Sequence, residues 1–166
     1  MKISIITITY NSAKTLPNTL QSVLSQTYPY IEHIIVDGAS KDGTKELIEA
    51  YAKEVQKGKD ECTREVRWVS EKDSGIYNAI NKGIQMATGD VIGFVHSDDM
   101  LFSSDSIEHI ANAFSSSDVD LIYGDLQYCK GDKVVRRWKS NAYNPCALKY
   151  GWMPPHPTVY CKREVY

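Results

Sequence analysis

Two adjacent aspartates, Asp98 and Asp99, directly follow an apolar run at residues 90–95. Neighbouring carboxylates repel each other and Asp is unfavourable in strands, so this placement needs a compensating partner. One interpretation is that the pair caps the following helix. Better cap positions, closer to the apolar periodicity of that helix, are Ser103, Ser104 and Asp105. We therefore favour a divalent cation that binds the carboxylates and a phosphate on its other side.

Polar side chains also follow the other predicted strands. These strand ends carry Thr9 in "TYN", Asp37 in "DGAS" and Asp73 in "EKD". Ligands of open α/β sheets bind beyond the carboxyl ends of the strands, so the sequence predicts a binding site at this edge. Two local alternatives stay open: Asp37 with Gly38 is also a common turn pair, and Thr9 fits an ordinary strand position.

The chain lacks the glycine-rich loops that usually hold nucleotide phosphates. Its first strand-to-helix turn, "TYNSAKT", contains neither GxGxxG nor GxxxxGK[ST], which argues against a dinucleotide oxidoreductase and a P-loop NTPase. A metal ion held by acidic side chains can instead neutralise phosphate charge, and Mn²⁺ or Mg²⁺ prefers carboxylate oxygens. Adjacent strand residues point to opposite sides, so we expect one aspartate to bind the metal while its neighbour contacts a ribose or orients the ligands.

Strands and helices alternate four times up to residue 117, which predicts an α/β fold with a mostly parallel central sheet flanked by helices. The predicted strands, the second of which runs into a turn, cover residues 2–9, 32–40, 66–71 and 90–95. Asn11 or Ser12 can cap the first helix, and the second is predicted to start at Asp42 or Thr44. Ile76, Ile80 and Ile84, spaced four apart, predict a third helix, and "DLIYG" is the fifth predicted strand. Residues 57–65 are predicted as a loop, and Gly131-Asp132 as a hairpin turn.

Composition excludes several classes of protein. A formal net charge of -2 does not favour a nucleic-acid partner. The four cysteines have no CxxC spacing, so we expect reduced thiols and a cytoplasmic protein. No apolar run approaches the roughly 20 residues that cross a bilayer, and the N-terminal segment reads as a strand rather than a signal peptide.

The segments "SIITITYNSAKTLPNTLQSVLSQTYPYIEHIIVDGASKDGT" and "DSGIYNAINKGIQMATGDVIGFVHSDDM", in this order, resemble family 2 glycosyltransferases, which have the GT-A fold. The match covers residues 1–125. The segment "YGWMPPHPTVYCKREVY" is similar to a bacterial subgroup that builds surface polysaccharide. The resemblance implies an inverting, metal-dependent transfer of a sugar from a nucleotide diphosphate donor to a saccharide or lipid-linked acceptor. For such an enzyme we expect a cytoplasmic location, with peripheral attachment at the inner face of the membrane as an alternative.

The resemblance also implies roles for particular residues. It places Asp37 at the base of the nucleotide with Thr9 nearby, and it makes "SDD" the metal-binding motif, with Asp99 on the metal and Asp98 on the nucleotide. One position departs from the family pattern: the usual "VDDGSxD" has two acids, whereas this chain has Gly38 in place of the second.

Two further segments supply candidate site residues. In "DSGIYNAINKG" we expect Asp73 to touch the base or ribose and Lys82 to reach a phosphate, the alternative being a capped surface helix. His156 lies between two prolines that stiffen its backbone, so it is a candidate metal ligand or phosphate partner. His96, next to the aspartate pair, is interpreted as a packed or solvated side chain.

Asp125, which follows the fifth predicted strand, is the candidate general base within the chain. The resembled family carries its base beyond the segment matching "PPHPTVYCKREVY", so the resemblance implies a base beyond Tyr166. We accordingly expect one domain over 1–166, with a nucleotide-sugar and metal half at 1–125 and an incomplete acceptor half at 126–166. "KREVY" reads as the start of a further helix. Exposed apolar surface and association into a homo-oligomer are expected.

Other functions stay open on the residues alone. A non-catalytic nucleotide-sugar-binding module would keep the same pocket without turnover. A metal-dependent phosphohydrolase would use the same carboxylates on simple phosphoesters. An α/β scaffold with capped helices would bind no nucleotide diphosphate at all.

Overall fold

The computed structural model describes residues 1–57, 64–131 and 133–166, and within them it confirms the predicted α/β class. The strands are β1 (Ile3–Thr9), β2 (Ile31–Asp37), β3 (Glu65–Ser70), β4 (Val91–Phe94), β5 (Leu121–Ile122), β6 (Leu126–Lys130), β7 (Lys133–Trp138) and β8 (Tyr160–Lys162). The helices are α1 (Leu16–Leu24), α2 (Thr44–Lys57), α3 (Ile76–Met86), α4 (Ser106–Ser116) and α5 (Pro145–Leu148). Most of the predicted loop at 57–65, and Asp132 of the predicted turn, lie outside the described residues.

The central sheet of the described residues has six strands in the order β3-β2-β1-β4-β8-β5. β3, β2, β1 and β4 are mutually parallel, whereas β8 is antiparallel to both of its neighbours. β5 therefore runs in the same direction as β4. The carboxyl ends of five strands meet at one edge, which is the edge where ligands of such sheets bind.

The last residues form a strand followed by a short helical turn. Tyr160–Lys162 make β8, which the sequence did not predict, and Arg163–Val165 within "KREVY" make a 3₁₀ turn. The backbone of β8 pairs with β4 on one side and β5 on the other, and Tyr160 and Cys161 are buried there. These long-range ladders satisfy the backbone more fully than an isolated helical turn would.

The buried strands explain why the sheet is covered on both faces. β1 and β2 are almost entirely buried, as expected for central parallel strands. Because successive side chains alternate, Ile5 and Ile35 face α1, α2 and α4, whereas Ile6 and Ile34 face α3. None of the helices in the described ranges combines the length and the apolar composition that crossing a bilayer requires.

β4 carries a glycine directly opposite Tyr160 of β8. A Cβ atom at Gly93 would lie 2.1 Å from Cε1 of the Tyr160 ring, far inside van der Waals contact. Since Tyr160 is buried, its ring has little room to move. We expect Gly93→Ala to lower the free energy of unfolding by about 1–3 kcal/mol, as overpacking typically does.

Urea denaturation measures this loss. Gly124→Ala is the matched control, because a Cβ atom there meets nothing within 4 Å. We expect the control to unfold like the unmodified chain. Equal losses in the two variants would show that Tyr160 does not restrict position 93.

A buried polar chain links β1, β2, α2 and the end of β4. The Thr7 hydroxyl donates to the backbone carbonyl of Val95 at 2.6 Å, so it must accept from Nε2 of His33, 2.9 Å away. Nδ1 of His33 then carries no proton and accepts from the Tyr51 hydroxyl at 2.9 Å. Burial of His33 lowers its pKa to about 3, so the imidazole stays neutral.

The start of α1 differs from the prediction. Asn11 or Ser12 was expected to cap it, but the helix begins at Leu16, and Thr15 at the cap position makes no side-chain bond. The Ser12 carbonyl instead accepts from the backbone N–H groups of Thr15 and Leu16, which adds a turn before the helix. The predicted start of α2 is confirmed at Thr44.

β6 and β7 form the predicted hairpin, as a separate two-stranded antiparallel sheet with an irregularity between Tyr128 and Cys129. Within the described residues neither strand is hydrogen-bonded to the central sheet. The three described cysteines are free, with Cys129 and Cys146 exposed and Cys161 buried. Cys62 lies outside the described residues.

Candidate functional site

The carboxyl edge of the sheet gathers the strand ends that the sequence predicted. Thr9, Asp37 and Ser70 are register partners on β1, β2 and β3, so their side chains lie on one face of the sheet. The Ser12 hydroxyl, after β1, lies 3.0 Å from the hydroxyl of Ser97, after β4. The loops after four strands therefore converge.

Asp37 has no exposed surface. Its carboxylate accepts from the Ser70 hydroxyl at 2.6 Å, from the Ser40 backbone N–H at 3.1 Å and from the Ser40 hydroxyl. The bond to Ser40 is the turn role that the Asp-Gly pair suggested. Thr9 beside it is buried, and its hydroxyl has no hydrogen-bond partner among the described residues.

Two non-glycine residues with positive φ stand at this edge, Asn11 at 49° after β1 and Ala39 at 61° after β2. Such conformations are costly without a compensating interaction, and they cluster at functional sites. The Asn11 backbone N–H donates to the Ser40 hydroxyl at 2.7 Å, and its side-chain oxygen accepts from the Lys41 N–H at 2.9 Å. The loops after β1 and β2 thus hold each other in place.

Ala39 provides a direct test of this strain. Glycine adopts positive φ at no steric cost, so we expect Ala39→Gly to raise the free energy of unfolding by about 0.5–1 kcal/mol. The matched control is Ala50→Gly on the exposed side of α2, where the same substitution should cost about 1 kcal/mol. Urea denaturation distinguishes the two, and a similar destabilisation in both would mean that Ala39 is unstrained.

Tyr10 lies at this edge of the sheet and is not among the site residues predicted from the sequence. Its side chain is 66% exposed, and it packs against Gly38, where a Cβ atom would lie 3.1 Å from Cδ2 of the Tyr10 ring. Gly38 stands where the resembled family has its second acid, and a larger side chain there would crowd this ring. The sequence feature that could have indicated Tyr10 is an aromatic residue directly after the end of a buried strand.

Asp98 is exposed and Asp99 is half-buried, in the turn that follows β4. The Asp99 backbone N–H donates to the His96 carbonyl at 2.9 Å, and its carbonyl accepts from the Thr19 hydroxyl at 2.7 Å. Helix α4 begins only at Ser106, with Asp105 at its cap position, so the aspartate pair does not cap it.

His156 lies close to this pair. The His96 and His156 rings are 6.4 Å apart, and His96 stacks on Phe94. Burial and the Asp98 charge raise the pKa of Asp99, although His96 and His156 act in the opposite direction. Burial lowers the pKa of His96, which supports its interpretation as a packed side chain.

The donor atoms around Asp99 suit a cation whose other ligands are water molecules and phosphate oxygens. Within the described residues no three histidine, cysteine or acidic side chains converge to form a complete metal site. Mg²⁺ and Mn²⁺ are commonly held by one or two carboxylates plus phosphate oxygens and water. The carboxylates of Asp99 and its neighbour Asp98, with His156 as a further nearby donor, fit such an ion.

Lys82 lies on α3 and forms ion pairs with acidic side chains of the protein. Its amine contacts Asp73 at 2.5 Å and Glu71 at 2.7 Å, and the hydrogen bond to Asp73 is the largest cause of its raised pKa. Asp73 does not cap α3, which begins at Ile76 with Gly75 at the cap position and no side-chain cap bond. A phosphate contact by Lys82 stays a prediction that requires at least one of these bonds to open.

Asp125 is exposed and joins the two ends of the hairpin. Its carboxylate accepts from the Ser140 N–H and the Ser140 hydroxyl, each at 2.9 Å. These bonds lower its pKa, which weakens it as a proton acceptor. Its assignment as the general base stays a prediction that this geometry does not favour.

A mostly parallel α/β sheet with an acidic motif after a central strand is the architecture of nucleotide-sugar transferases with the GT-A fold. The chain belongs to glycosyltransferase family 2, whose match covers residues 4–164. It is 32% identical over 126 residues to a PGL/p-HBAD biosynthesis glycosyltransferase from Mycobacterium bovis (strain BCG / Pasteur 1173P2), which covers 74% of this chain and 46% of that protein. A glycosyltransferase of Mycobacterium tuberculosis that carries no assigned function is 37% identical over 114 residues, covering 68% of this chain and 40% of the relative. The chain thus spans less than half the length of these curated relatives.

Two solved structures share the fold. TarS 1–349 from S. aureus in complex with UDP-GlcNAc has a TM-score of 0.66 at 25% identity, covering 82% of this chain and 37% of that one. A mannosyltransferase from Pyrobaculum calidifontis in complex with GDP-Man and Mn²⁺ has a TM-score of 0.65 at 23% identity, covering 74% of this chain and 35% of that one. The GT-A fold expected from the sequence is confirmed.

Proposed function

We propose that this chain binds a nucleotide diphosphate sugar together with Mn²⁺ or Mg²⁺ and serves the transfer of that sugar to a saccharide or lipid-linked acceptor. The observation that carries the proposal is the half-buried carboxylate of Asp99 at the carboxyl edge of the sheet, whose pKa is raised first by burial and then by the neighbouring Asp98 charge. Family membership supports the reaction class, and the TarS structure with UDP-GlcNAc supports the donor class.

The nucleoside would lie against Tyr10. An exposed aromatic ring at the carboxyl edge offers a stacking surface for a base. Thr9 precedes Tyr10 in the chain and is the register partner of Asp37, and its buried hydroxyl has no hydrogen-bond partner among the described residues. Asp37 has no exposed surface and its Oδ1 accepts from the Ser40 hydroxyl, so we propose that donor binding displaces Ser40 and gives a base access to this carboxylate.

The diphosphate would lie beside the aspartate pair. When bound, a divalent cation neutralises the diphosphate leaving group. Asp99 would hold that cation, with His156 as a further ligand or phosphate partner, while Asp98 faces the nucleotide. The solved mannosyltransferase with Mn²⁺ supports the choice of metal. Asp73 and Lys82 would stand at the wall of this pocket, where a phosphate can compete for the Lys82 amine.

For the transfer itself we propose a single displacement with inversion at the anomeric carbon. The acceptor hydroxyl attacks from the face opposite the diphosphate and must lose its proton to a base. Asp125 is the candidate for that base among the residues 1–166. Its hydrogen bonds to Ser140 make it a weak one, so we expect Asp125→Asn to leave donor binding unchanged.

A thermal-shift titration tests donor binding. We expect UDP or GDP with Mn²⁺ to stabilise the chain, by roughly 2.7 kcal/mol at 100 times the dissociation constant, and EDTA to remove most of the effect. The matching nucleoside monophosphates should stabilise less, because they lack the second phosphate for the cation. Equal stabilisation in EDTA would refute the metal role, and no stabilisation by any nucleotide would refute donor binding.

A further inference from the structure

Residues 126–150, which we call the basic hairpin segment, contain β6, β7, α5 and the loop between them. Six of the 19 basic residues and one of the 21 acidic residues of the chain lie in this segment. The segment therefore carries a net charge of +5, whereas the rest of the chain carries -7. The basic residues are Lys130, Lys133, Arg136, Arg137, Lys139 and Lys149.

These cations have few acidic partners. Within the described residues, none of the six lies within 4.0 Å of a carboxylate, in contrast to Lys2, Lys82 and Lys162 elsewhere in the chain. Arg136 instead lies over the rings of Tyr128 and Trp138, at 5.5 and 5.8 Å from their centroids. All six cations are exposed, and the aromatic rings hold Arg136 in place at the surface.

Apolar side chains are exposed beside these cations. They include Val135 at 57% and Tyr150 at 90% exposure, together with Tyr128, Val134, Tyr143 and Leu148. Solvent-exposed valines do not stabilise a cluster of charges that contacts only water. Basic residues interleaved with exposed apolar and aromatic ones are typical of segments that lie in a membrane interface.

The segment leaves and returns at the carboxyl edge of the central sheet. Gly124, just after β5, accepts a hydrogen bond from the Thr158 hydroxyl at 3.0 Å and donates one to it at 3.1 Å. Thr158 ends the short 3₁₀ turn that begins with His156. A surface that contacts this segment would therefore lie on the same side of the molecule as the candidate site.

We propose that the basic hairpin segment docks the protein on an anionic lipid bilayer, with its cations at the headgroups and its valines and tyrosines in the interface. This inference goes beyond donor binding and does not depend on it. Each Lys or Arg near an anionic surface contributes about 1 kcal/mol, or about fivefold in affinity, and the attraction decays within a Debye length. The local charge can thus attract the chain although its net charge is -2.

Co-sedimentation with vesicles tests the proposal. We expect binding to phosphatidylcholine vesicles that contain phosphatidylglycerol and little binding to phosphatidylcholine alone. Salt at about 1 M, where the Debye length is about 3 Å, should release most of the protein. Equal binding to both vesicle types, or no binding to either, would overturn the proposal.

Variants locate the surface. Lys133→Glu with Arg137→Glu should weaken vesicle binding by about 25-fold or more. Lys45→Glu with Lys53→Glu on the exposed side of α2 makes the same change in net charge and should bind nearly as the unmodified chain does. Val134→Ser with Val135→Ser should weaken binding at unchanged charge. Circular dichroism and urea denaturation confirm that each variant is folded.

Two results would contradict the assignment of the basic hairpin segment to a bilayer. If both double charge reversals weaken binding equally, the effect is one of net charge and the hairpin does not dock. If soluble polyphosphate competes fully and the valine substitutions change nothing, the segment is a site for a free polyanion and not for a bilayer.

Discussion

Asp99→Asn is expected to weaken the binding of UDP or GDP with Mn²⁺ by about 100-fold or more. Asn keeps the size of the side chain but loses the charge that a hard cation requires, and even residues that only orient metal ligands contribute 10–100-fold. The fold should be unaffected, because the hydrogen bonds at position 99 are made by backbone atoms, which accept from Thr19 and donate to His96.

Isothermal titration calorimetry with and without Mn²⁺ measures this effect. Asp105→Asn is the matched control, since it removes the same charge at the start of α4, away from the aspartate pair. We expect Asp98→Asn to reduce affinity less, because Asp98 is assigned to the nucleotide. If Asp99→Asn binds as tightly as Asp105→Asn, or if it unfolds the chain while binding per folded molecule is kept, the metal assignment is wrong.

The stability of the protein is expected to fall as the pH drops from 6.5 towards 3, and His33 should account for a large share of the loss. The pKa of His33 is lowered from 6.5 to about 3 by complete burial. Below pH 6.5 the unfolded chain therefore takes up a proton that the folded chain refuses, which favours unfolding. The loss is roughly 1 kcal/mol per pH unit, on the order of 4 kcal/mol over the whole window.

Urea denaturation at a series of pH values, compared between variants, isolates this contribution. His33→Gln keeps a hydrogen-bonding side chain between Thr7 and Tyr51 but cannot titrate, so its stability should depend less steeply on pH in this window. His109→Gln, at an exposed position on α4, should keep the full dependence. Parallel pH profiles for the unmodified chain and His33→Gln would show that His33 is not held neutral in the fold.

The hydrogen bonds of His33 also connect the interior of the sheet to the candidate site. Its ring positions the Thr7 hydroxyl, which holds the carbonyl of Val95, the residue just before the turn with His96 and the aspartate pair. This link joins residues 26 and 88 positions apart in the chain. No local pattern marks it, because His33 simply interrupts an apolar strand in the sequence.

Local patterns in the sequence were sufficient for the main framework. Runs of β-branched residues predicted β1 to β4, and four-residue apolar spacing predicted α3, because both periodicities are properties of a single segment. The same alternation implied a parallel sheet, and a parallel sheet brings strand ends to one edge. The sequence therefore predicts that Thr9, Asp37 and Asp99 lie at the same edge of the sheet.

Only the tertiary structure decided which partners these residues have. β8 could not be foreseen, because Tyr160–Lys162 become a strand through ladders with β4 and β5 rather than through their own preference. The hydrogen bond from Ser70 to Asp37, and the pairing of Lys82 with Glu71 and Asp73, likewise depend on distances between side chains of different elements. The sequence determines which groups can ionise or hydrogen-bond, whereas burial and pairing across the sheet determine which of them are already satisfied and which stay available to a ligand.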